Sequence, residues 1–263
     1  MVIIDQEICV GCGACVKDCP GSAIRLEEGK AEVFRSCIQC GHCVAVCPVD
    51  AVSIPEFDME DVEAYREGEF SVCPEHFLRA VKFRRSVRNF KKEIPDRDVI
   101  GKILEAGRYT ATAKNMQDCT FVVVREQLSE FKDLVWQEMP GIIQSLRETG
   151  PDYARAFSYF YKLWQRDKEK DTFFFNTPVF LVIASENPLD GGLAAANIEN
   201  MAAAKGLGAL YSGYMMRVIR ENPVLQEWLG IGEKTVSCCM LLGYPDVKYR
   251  RTAPRKKADI LWK

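Results

Sequence analysis

The rhythm of apolar and polar positions divides the chain into three stretches. Residues 1–57 are built as two similar halves, each closing on a short β-prone run, Ala23-Ile24-Arg25-Leu26 and Ala51-Val52-Ser53-Ile54. Residues 58–74 are sparse in apolar side chains and crowded with acids, Asp58, Glu60, Asp61, Glu63, Glu67 and Glu69, and continue a trend begun at Glu56. That pattern predicts a linker with at most one helical turn, ending at the Cys73-Pro74 stop. From Glu75 the texture is that of a folded domain, 75–263. Phe77, Leu78, Val81 and Lys82 have helical spacing, and Ile94-Pro95-Asp96 opens a second helix through Val99, Ile100, Ile103 and Leu104. Helices are predicted again over 128–139, 151–168, Leu193–Lys205 and, briefly, Val224–Leu229. Thr120–Val124, Pro178–Ala184, Ala209–Gly213 and Thr235–Leu242 read as strands. Helices interleaved with about four strands make an α+β or α/β domain, and periodicity alone does not choose between them.

Composition narrows the class. Of 263 residues, 48% are hydrophobic and 27% charged, enough for a sizeable core. An apolar run of about twenty residues that could span a bilayer is missing, as is an early basic–apolar–small leader, so a cytoplasmic protein is expected. Eight of the twelve cysteines fall between Cys9 and Cys47. In such a chain, dense cysteines at short fixed spacing read as metal ligation rather than disulfides. The net charge is −4 over residues 1–57, −5 over 58–74 and +7 over 75–263. An acidic head on a basic body fits electrostatic docking of the two, or a body that receives anions; an unevenly charged solvated surface fits as well. Nothing points to nucleic acid.

The cysteines form an internal repeat with an offset of 28 residues. Cys9-Val-Gly-Cys-Gly-Ala-Cys-Val-Lys-Asp-Cys-Pro is echoed by Cys37-Ile-Gln-Cys-Gly-His-Cys-Val-Ala-Val-Cys-Pro. Cys-x₂-Cys-x₂-Cys wraps three soft ligands around one corner of a cubane, and the fourth cysteine, followed by proline, serves the other cluster. One [4Fe–4S] cluster is then held by Cys9, Cys12, Cys15 and Cys47, the other by Cys37, Cys40, Cys43 and Cys19. Zinc normally takes two separated Cys-x₂-Cys pairs, not a four-cysteine run ending in proline made twice. Gly11, Gly13 and Gly41 let backbone N–H groups turn toward cluster sulfurs. Halves this small bury little surface, so the clusters must supply cohesion and the segment should unfold without metal. His42 is read as a hydrogen-bond donor near a cluster or an exposed residue, and His76 as a helix-end residue. Over residues 1–55 the segment resembles the bacterial two-cluster ferredoxins.

In the second domain, Arg84-Arg85-Ser86-Val87-Arg88-Asn89-Phe90 packs three cations and a hydroxyl into a few residues. A phosphate monoester needs such donors; a basic helix end facing the macrodipole would look the same. These residues also match the Arg-Arg-Ser-x-Arg-x-Phe opening of the nitroreductase family of FMN enzymes. Further along, Ala111-Thr112-Ala113-Lys114-Asn115-Met116-Gln117 resembles that family's small-residue loop ending in Asn-x-Gln. Thr177-Pro178 resembles its proline-led strand, Gly206-Leu207-Gly208 and Tyr211-Ser212-Gly213 its flavin-lining stretch, and Pro254-Arg255-Lys256-Lys257 its late basic segment. Asp118-Cys119 stands where the family often has Pro-Trp. Gly206-x-Gly208 is no dinucleotide fingerprint, since it follows a helix and opens a strand.

The resemblance implies an α+β fold and an interlocked homodimer with FMN at its interface. It implies that Arg84, Arg85, Ser86, Arg88, Arg255 and Lys257 hold the phosphate and ribityl chain. Ala113, Asn115 and Gln117 would reach the flavin from the neighbouring subunit, and Ser212, Gly213 and Tyr214 would line the isoalloxazine edge near N5. One polar contact within 168–176 is not assigned to a residue. Cys73, Cys119, Cys238 and Cys239 read as core thiols, and the aromatic run Phe157, Tyr159, Phe160, Tyr161, Trp164 with Phe173–Phe175 as core, dimer contact or pocket roof. With two histidines and no Ser/His/Asp or Cys/His constellation, no catalytic side chain is assigned. The expected function is a ferredoxin-linked FMN oxidoreductase: a low-potential donor feeds the clusters, electron transport runs to FMN, and a nitroaromatic, quinone or activated alkene receives the electrons. An electron-transfer or redox-sensing protein without a dedicated substrate, and a reductive dehalogenase-like flavin enzyme, are the alternatives.

Overall fold

A computed structural model describes all residues 1–263 and divides into two compact units. The first comprises residues 1–71 together with 112–116; the second comprises 72–111 and 117–263.

In the first unit, strand β1 (Ile3–Ile4) is followed by helix α1 (Ala14–Asp18), the hairpin β2 (Ile24–Glu27) and β3 (Lys30–Val33), helix α2 (His42–Ala45) and β4 (Val52–Ser53). β1 pairs antiparallel with β4, so the chain's first residues are closed against the end of the second repeat. Both helices start from a glycine in the left-handed region, Gly13 at φ 73° and Gly41 at φ 78°. The core is slight: Val2, Ile4, Ile24, Ala31, Ala51, Val52 and Ile54, with the thiols of Cys9, Cys15 and Cys43 among them. Only one 3₁₀ turn, Met59–Asp61, interrupts the acidic stretch before Pro74.

The second unit is α+β. Helices α3 (Pro74–Phe83) and α4 (Arg97–Arg108) precede β5 (Thr120–Val124); α5 (Leu128–Thr149) and α6 (Pro151–Arg166) lead to β6 (Val179–Ser185). Then come α7 (Pro188–Ala204), β7 (Gly208–Tyr211), α8 (Gly213–Arg220), α9 (Pro223–Leu229) and β8 (Thr235–Gly243). The four strands form one antiparallel sheet in the order β5-β6-β8-β7. Alternation along β6 divides the core: Phe180, Val182 and Ala184 face the layer of α5, α6, α8 and α9, while Val179, Leu181 and Ile183 face α4 and α7. Burial on both faces explains why this strand is apolar from Val179 to Ala184. Cys238 and Cys239, adjacent on β8, fall into opposite layers for the same reason.

Several elements differ from the sequence-based expectation, among them α7, which starts at Pro188 rather than Leu193. The helix expected to stop at 139 runs through Pro140 to Thr149. Proline removes one backbone bond there, but Phe131, Val135, Met139, Ile142 and Leu146, at helical spacing and fully buried, hold the helix on both sides of it. The strand expected over Ala209–Gly213 ends at Tyr211, because Ser212 accepts a bond from Met215 N through its hydroxyl and starts α8 at Gly213. The first hairpin adds a strand, Lys30–Val33, that the pattern did not reveal.

At Gly208 no side chain fits without a shift of its neighbours. A Cβ there would lie 2.4 Å from Val87 Cγ2, and this contact is made because Ser86 bridges Ala209 while Val87 N donates to Ala209 O at 3.0 Å. Overpacking of this kind costs about 1–3 kcal/mol. Gly208→Ala should therefore lower the melting temperature of the second unit by about 2–10 °C, read by thermal unfolding.

Candidate cofactor sites

Four thiols of the first unit are arranged around space, not around a point. Cys9, Cys12, Cys15 and Cys47 line one cavity with Ile4, Val10, Val49 and Val52. That set mixes three cysteines of the first motif with the last of the second, as the crossed ligand assignment requires. No three His, Cys, Asp or Glu side chains converge closely enough to hold a single metal ion. Backbone N–H groups face the sulfurs: Ala23 N to Cys19 Sγ and Ala51 N to Cys47 Sγ, both 3.2 Å, repeat one contact in each half. Ala31 N lies 3.5 Å from Cys9 Sγ and Gln39 N 3.3 Å from Cys37 Sγ. The N–H groups of Ala31 and Gly11 pull the Cys9 thiol below its ordinary range, whereas burial pushes Cys43 up to about 11 and raises Cys15 as well. Soft donors in an apolar pocket, with amides aimed at sulfur, fit an iron–sulfur cluster. His42 Nδ1 lies 3.1 Å from Asp18 Oδ2 on the surface, joining one motif to the other.

In the second unit the basic stretch runs along the β7 edge. Besides the Ser86 and Val87 contacts, Phe90 bridges Pro245, Lys91 N donates to Tyr244 O at 2.8 Å, and Asp246 N donates to Asn89 O at 2.8 Å. This clamp places Arg84, Arg85, Ser86 and Arg88 alongside Gly208–Tyr211. Ser86 and Arg88 are exposed and Arg85 is half-buried. Arg84 is committed elsewhere: its Nη1 donates to Glu199 Oε1 on α7, with Glu199 only 5% exposed. The Tyr211 phenol faces the same carboxylate, and burial followed by the Glu199 charge raises its pKa strongly. Burial, then Glu199, also pushes the Cys238 thiol up to about 12, so it is an inert core thiol. Cys239 is raised by burial too, and Cys119 by burial and then Asp118.

At the start of α8 the first N–H groups have no intrahelical acceptor, as at any helix N-terminus. Gly213 leaves its backbone open, with nothing within 4 Å of where a Cβ would stand. Tyr214 is seated among Tyr153, Phe157, Phe160 and Phe173, with ring centroids 5.5–6.5 Å away. The aromatic run of α6 therefore supports the residue next to Gly213. An open backbone beside a clamp rich in guanidinium groups suits a flat, phosphate-bearing ligand. Arg255 and Lys257 lie exposed in a tail without helix or strand; Arg255 Nη1 donates to Pro254 O at 3.2 Å. Ala113, Asn115 and Gln117 occupy or adjoin the 3₁₀ turn Ala113–Asn115, and Asn115 Nδ2 donates to Gln39 O at 2.9 Å within the first unit. Within 168–176, Asp171 takes an ion pair from Lys132 at 2.6 Å and caps Phe174 N at 2.8 Å.

Comparison with known proteins gives a family for each part. Residues 81–244 match the nitroreductase family and residues 1–54 the 4Fe-4S dicluster domain. A ferredoxin of Pyrobaculum islandicum is 54% identical over 33 residues, 12% of this chain and 31% of that ferredoxin, so the match spans about a third of its length. A nitroreductase from Bacteroides fragilis, solved with bound FMN, superposes with a TM-score of 0.56 at 19% identity, over 71% of this chain and 98% of that one. Iodotyrosine deiodinase, solved with FMN and 3-iodo-L-tyrosine, superposes at 0.50 and 17% identity, over 71% and 98%. At such identities the superpositions show the fold.

Arg84→Ala would strand the Glu199 carboxylate inside the protein and should destabilise the second unit by about 3 kcal/mol. Adding Glu199→Leu should restore part of that loss, since the charge left unpaired is then gone. Urea unfolding of the two variants checks the order.

Proposed function

The chain belongs to the nitroreductase family, and on that premise we propose an FMN-dependent oxidoreductase supplied with electrons through two [4Fe–4S] clusters of its own. One observation carries the reading: a single polypeptide joins a 4Fe-4S dicluster head to a nitroreductase body, with Cys9, Cys12, Cys15 and Cys47 lining one cavity in the head. Clusters supply one-electron steps, and a flavin converts these into the two-electron chemistry that organic acceptors need.

The chain's own residues bind, orient and neutralise. Arg85, Ser86 and Arg88 offer guanidinium forks and a hydroxyl to the FMN phosphate, joined by Arg255 and Lys257 from the tail. Arg84, held by Glu199, contributes its remaining N–H groups. Ser212 caps α8 so that the N–H groups of Gly213 and Tyr214 stay available to the flavin edge, and the aromatic seat of Tyr214 keeps that edge in place. Ala113 and Gln117 face the flavin of a neighbouring subunit in a homodimer, whereas the Asn115 amide between them is turned to Gln39 O. Protons come from water or from backbone-positioned groups. The acceptor is a small organic molecule of the nitroaromatic, quinone or activated-alkene class, the donor a low-potential reductant, and the compartment the cytoplasm. No helix is long and apolar enough to cross a membrane. Shared fold with an FMN-binding deiodinase favours reductive dehalogenation as the second reading; an electron-transfer or redox-sensing protein without a dedicated substrate is the other.

Anaerobically purified protein should hold about one FMN and about eight iron atoms per chain and should reduce members of an acceptor panel under a low-potential donor. Eight iron atoms without flavin would sink the enzyme reading. Turnover of nitroaromatics and quinones supports the first reading, halide release from haloaromatics the second, and no turnover at all the third. Arg85→Ala combined with Arg88→Ala should weaken FMN binding by about 10- to 100-fold, the worth of one or two charge-assisted hydrogen bonds, measured by flavin fluorescence.

A further inference from the structure

We infer that Asn115 is a positioning residue for the second cysteine motif: its side-chain amide locks the Gln39 turn that aims a backbone N–H at Cys37 Sγ. The inference concerns the first unit alone and rests on the two-cluster reading above.

The two motifs differ at the residue before the second cysteine. Cys9-Val-Gly11-Cys12 has glycine where Cys37-Ile-Gln39-Cys40 has glutamine, yet both residues are left-handed, Gly11 at φ 65° and Gln39 at φ 52°. In the first copy glycine is compelled twice over. Its φ suits glycine, and a Cβ would stand 1.9 Å from Gly29 O in the β2–β3 turn. In the second copy a side chain is present, and the left-handed backbone is unfavourable for it. Such a conformation persists where its surroundings hold it. Two hydrogen bonds do so here. Gln39 N donates to Cys37 Sγ at 3.3 Å, and Gln39 O accepts from Asn115 Nδ2 at 2.9 Å.

Asn115 is itself held in an unusual backbone. Lys114, Asn115 and Gln117 have φ of 53°, 55° and 50°, and Asn115 N and Met116 N close tight turns onto Thr112 O and Ala113 O at 3.0 and 3.1 Å. Asparagine tolerates this region better than lysine or glutamine does. A segment folded this tightly presents the amide at a fixed place, and Gln39 O is what it meets. Hydrogen bonds to cluster sulfur stabilise the extra negative charge of the reduced state and raise its potential. The first motif has no such dependence, because Cys9 takes its N–H groups from Ala31 and Gly11.

The test is a redox titration of the anaerobic holoprotein followed by electron paramagnetic resonance. Asn115→Ala should lower one of the two cluster potentials and leave the other unmoved. The expected change in reduced-to-oxidised ratio at fixed potential is about threefold, roughly 30 mV for a one-electron couple in which tenfold is 59 mV. Gln39→Gly frees the turn as Gly11 does, so adding Asn115→Ala to it should shift nothing further. If Asn115→Ala alone loses four iron atoms, the double variant should keep them. Equal movement of both couples, movement of neither, or an undiminished effect in the Gln39→Gly background would overturn the inference. Wild-type protein with well under eight iron atoms per chain would instead overturn the two-cluster reading, and the inference with it.

Discussion

Both units are governed by the need to neutralise negative charge inside low-dielectric surroundings. A buried thiolate or carboxylate without a partner costs several kcal/mol, so each site is built around what compensates it. In the first unit the compensators are chiefly backbone amides, with the Lys30 charge added at Cys9. The N–H groups of Ala23, Ala31, Gln39 and Ala51 reach cysteine sulfurs. The glycines that open α1 and α2 permit the tight turns around them. Iron supplies the rest of the compensation on the proposed assignment, and the meagre core of Val2, Ile4, Ile24, Ala51, Val52 and Ile54 is then sufficient.

In the second unit arginine takes that role, and one residue sets the division of labour. Glu199 sits on α7 between the sheet and Arg84, and its charge is felt by Tyr211 and Cys238 as well as by the guanidinium. Arg84 is thereby fixed at the inner end of the basic stretch, while Arg88 stays in solvent and Arg85 half so. The clamp onto β7, made possible by Gly208, carries the whole stretch to the strand that ends in Ser212 and Gly213. A guanidinium-rich ribbon and an open helix start are thus brought together by backbone pairing.

Local chemistry was legible in the sequence and long-range pairing was not. Eight cysteines at fixed spacing announce their ligand role, because three ligands of one cluster come from a single turn of chain. Thr120–Val124 was legible as a strand because a β-branched run buried in a sheet leaves few other options. Helix α8 was missed because the apolar run through Tyr211 carries the eye past Ser212, whose capping role depends on one hydroxyl. The helix beyond Pro140 was missed because proline speaks locally while Phe131, Met139 and Leu146 act together across several turns. Glu199 was hidden by its setting: a lone acid in an alanine-rich helix reads as solvent-facing until Arg84, 115 positions away, is seen beside it. For the basic stretch the motif was visible, but its clamp onto β7 belongs to the fold.

The repeat in the first unit shows how near-identical motifs can be given different properties. On the proposed assignment, two clusters with identical ligand sets would differ only through their surroundings, and any downhill step between them would come from those surroundings. On the first motif the β2–β3 hairpin lies directly over Gly11 and brings Ala31 N and the Lys30 charge to Cys9. The second motif has no hairpin of its own; its turn is secured by a side chain from residues 112–116. The amides of Ala31 and Gly11 and the Lys30 charge all favour the charged form of Cys9. The duplicated cysteines make two sites possible; the unduplicated parts, a hairpin on one and an asparagine on the other, make them unequal.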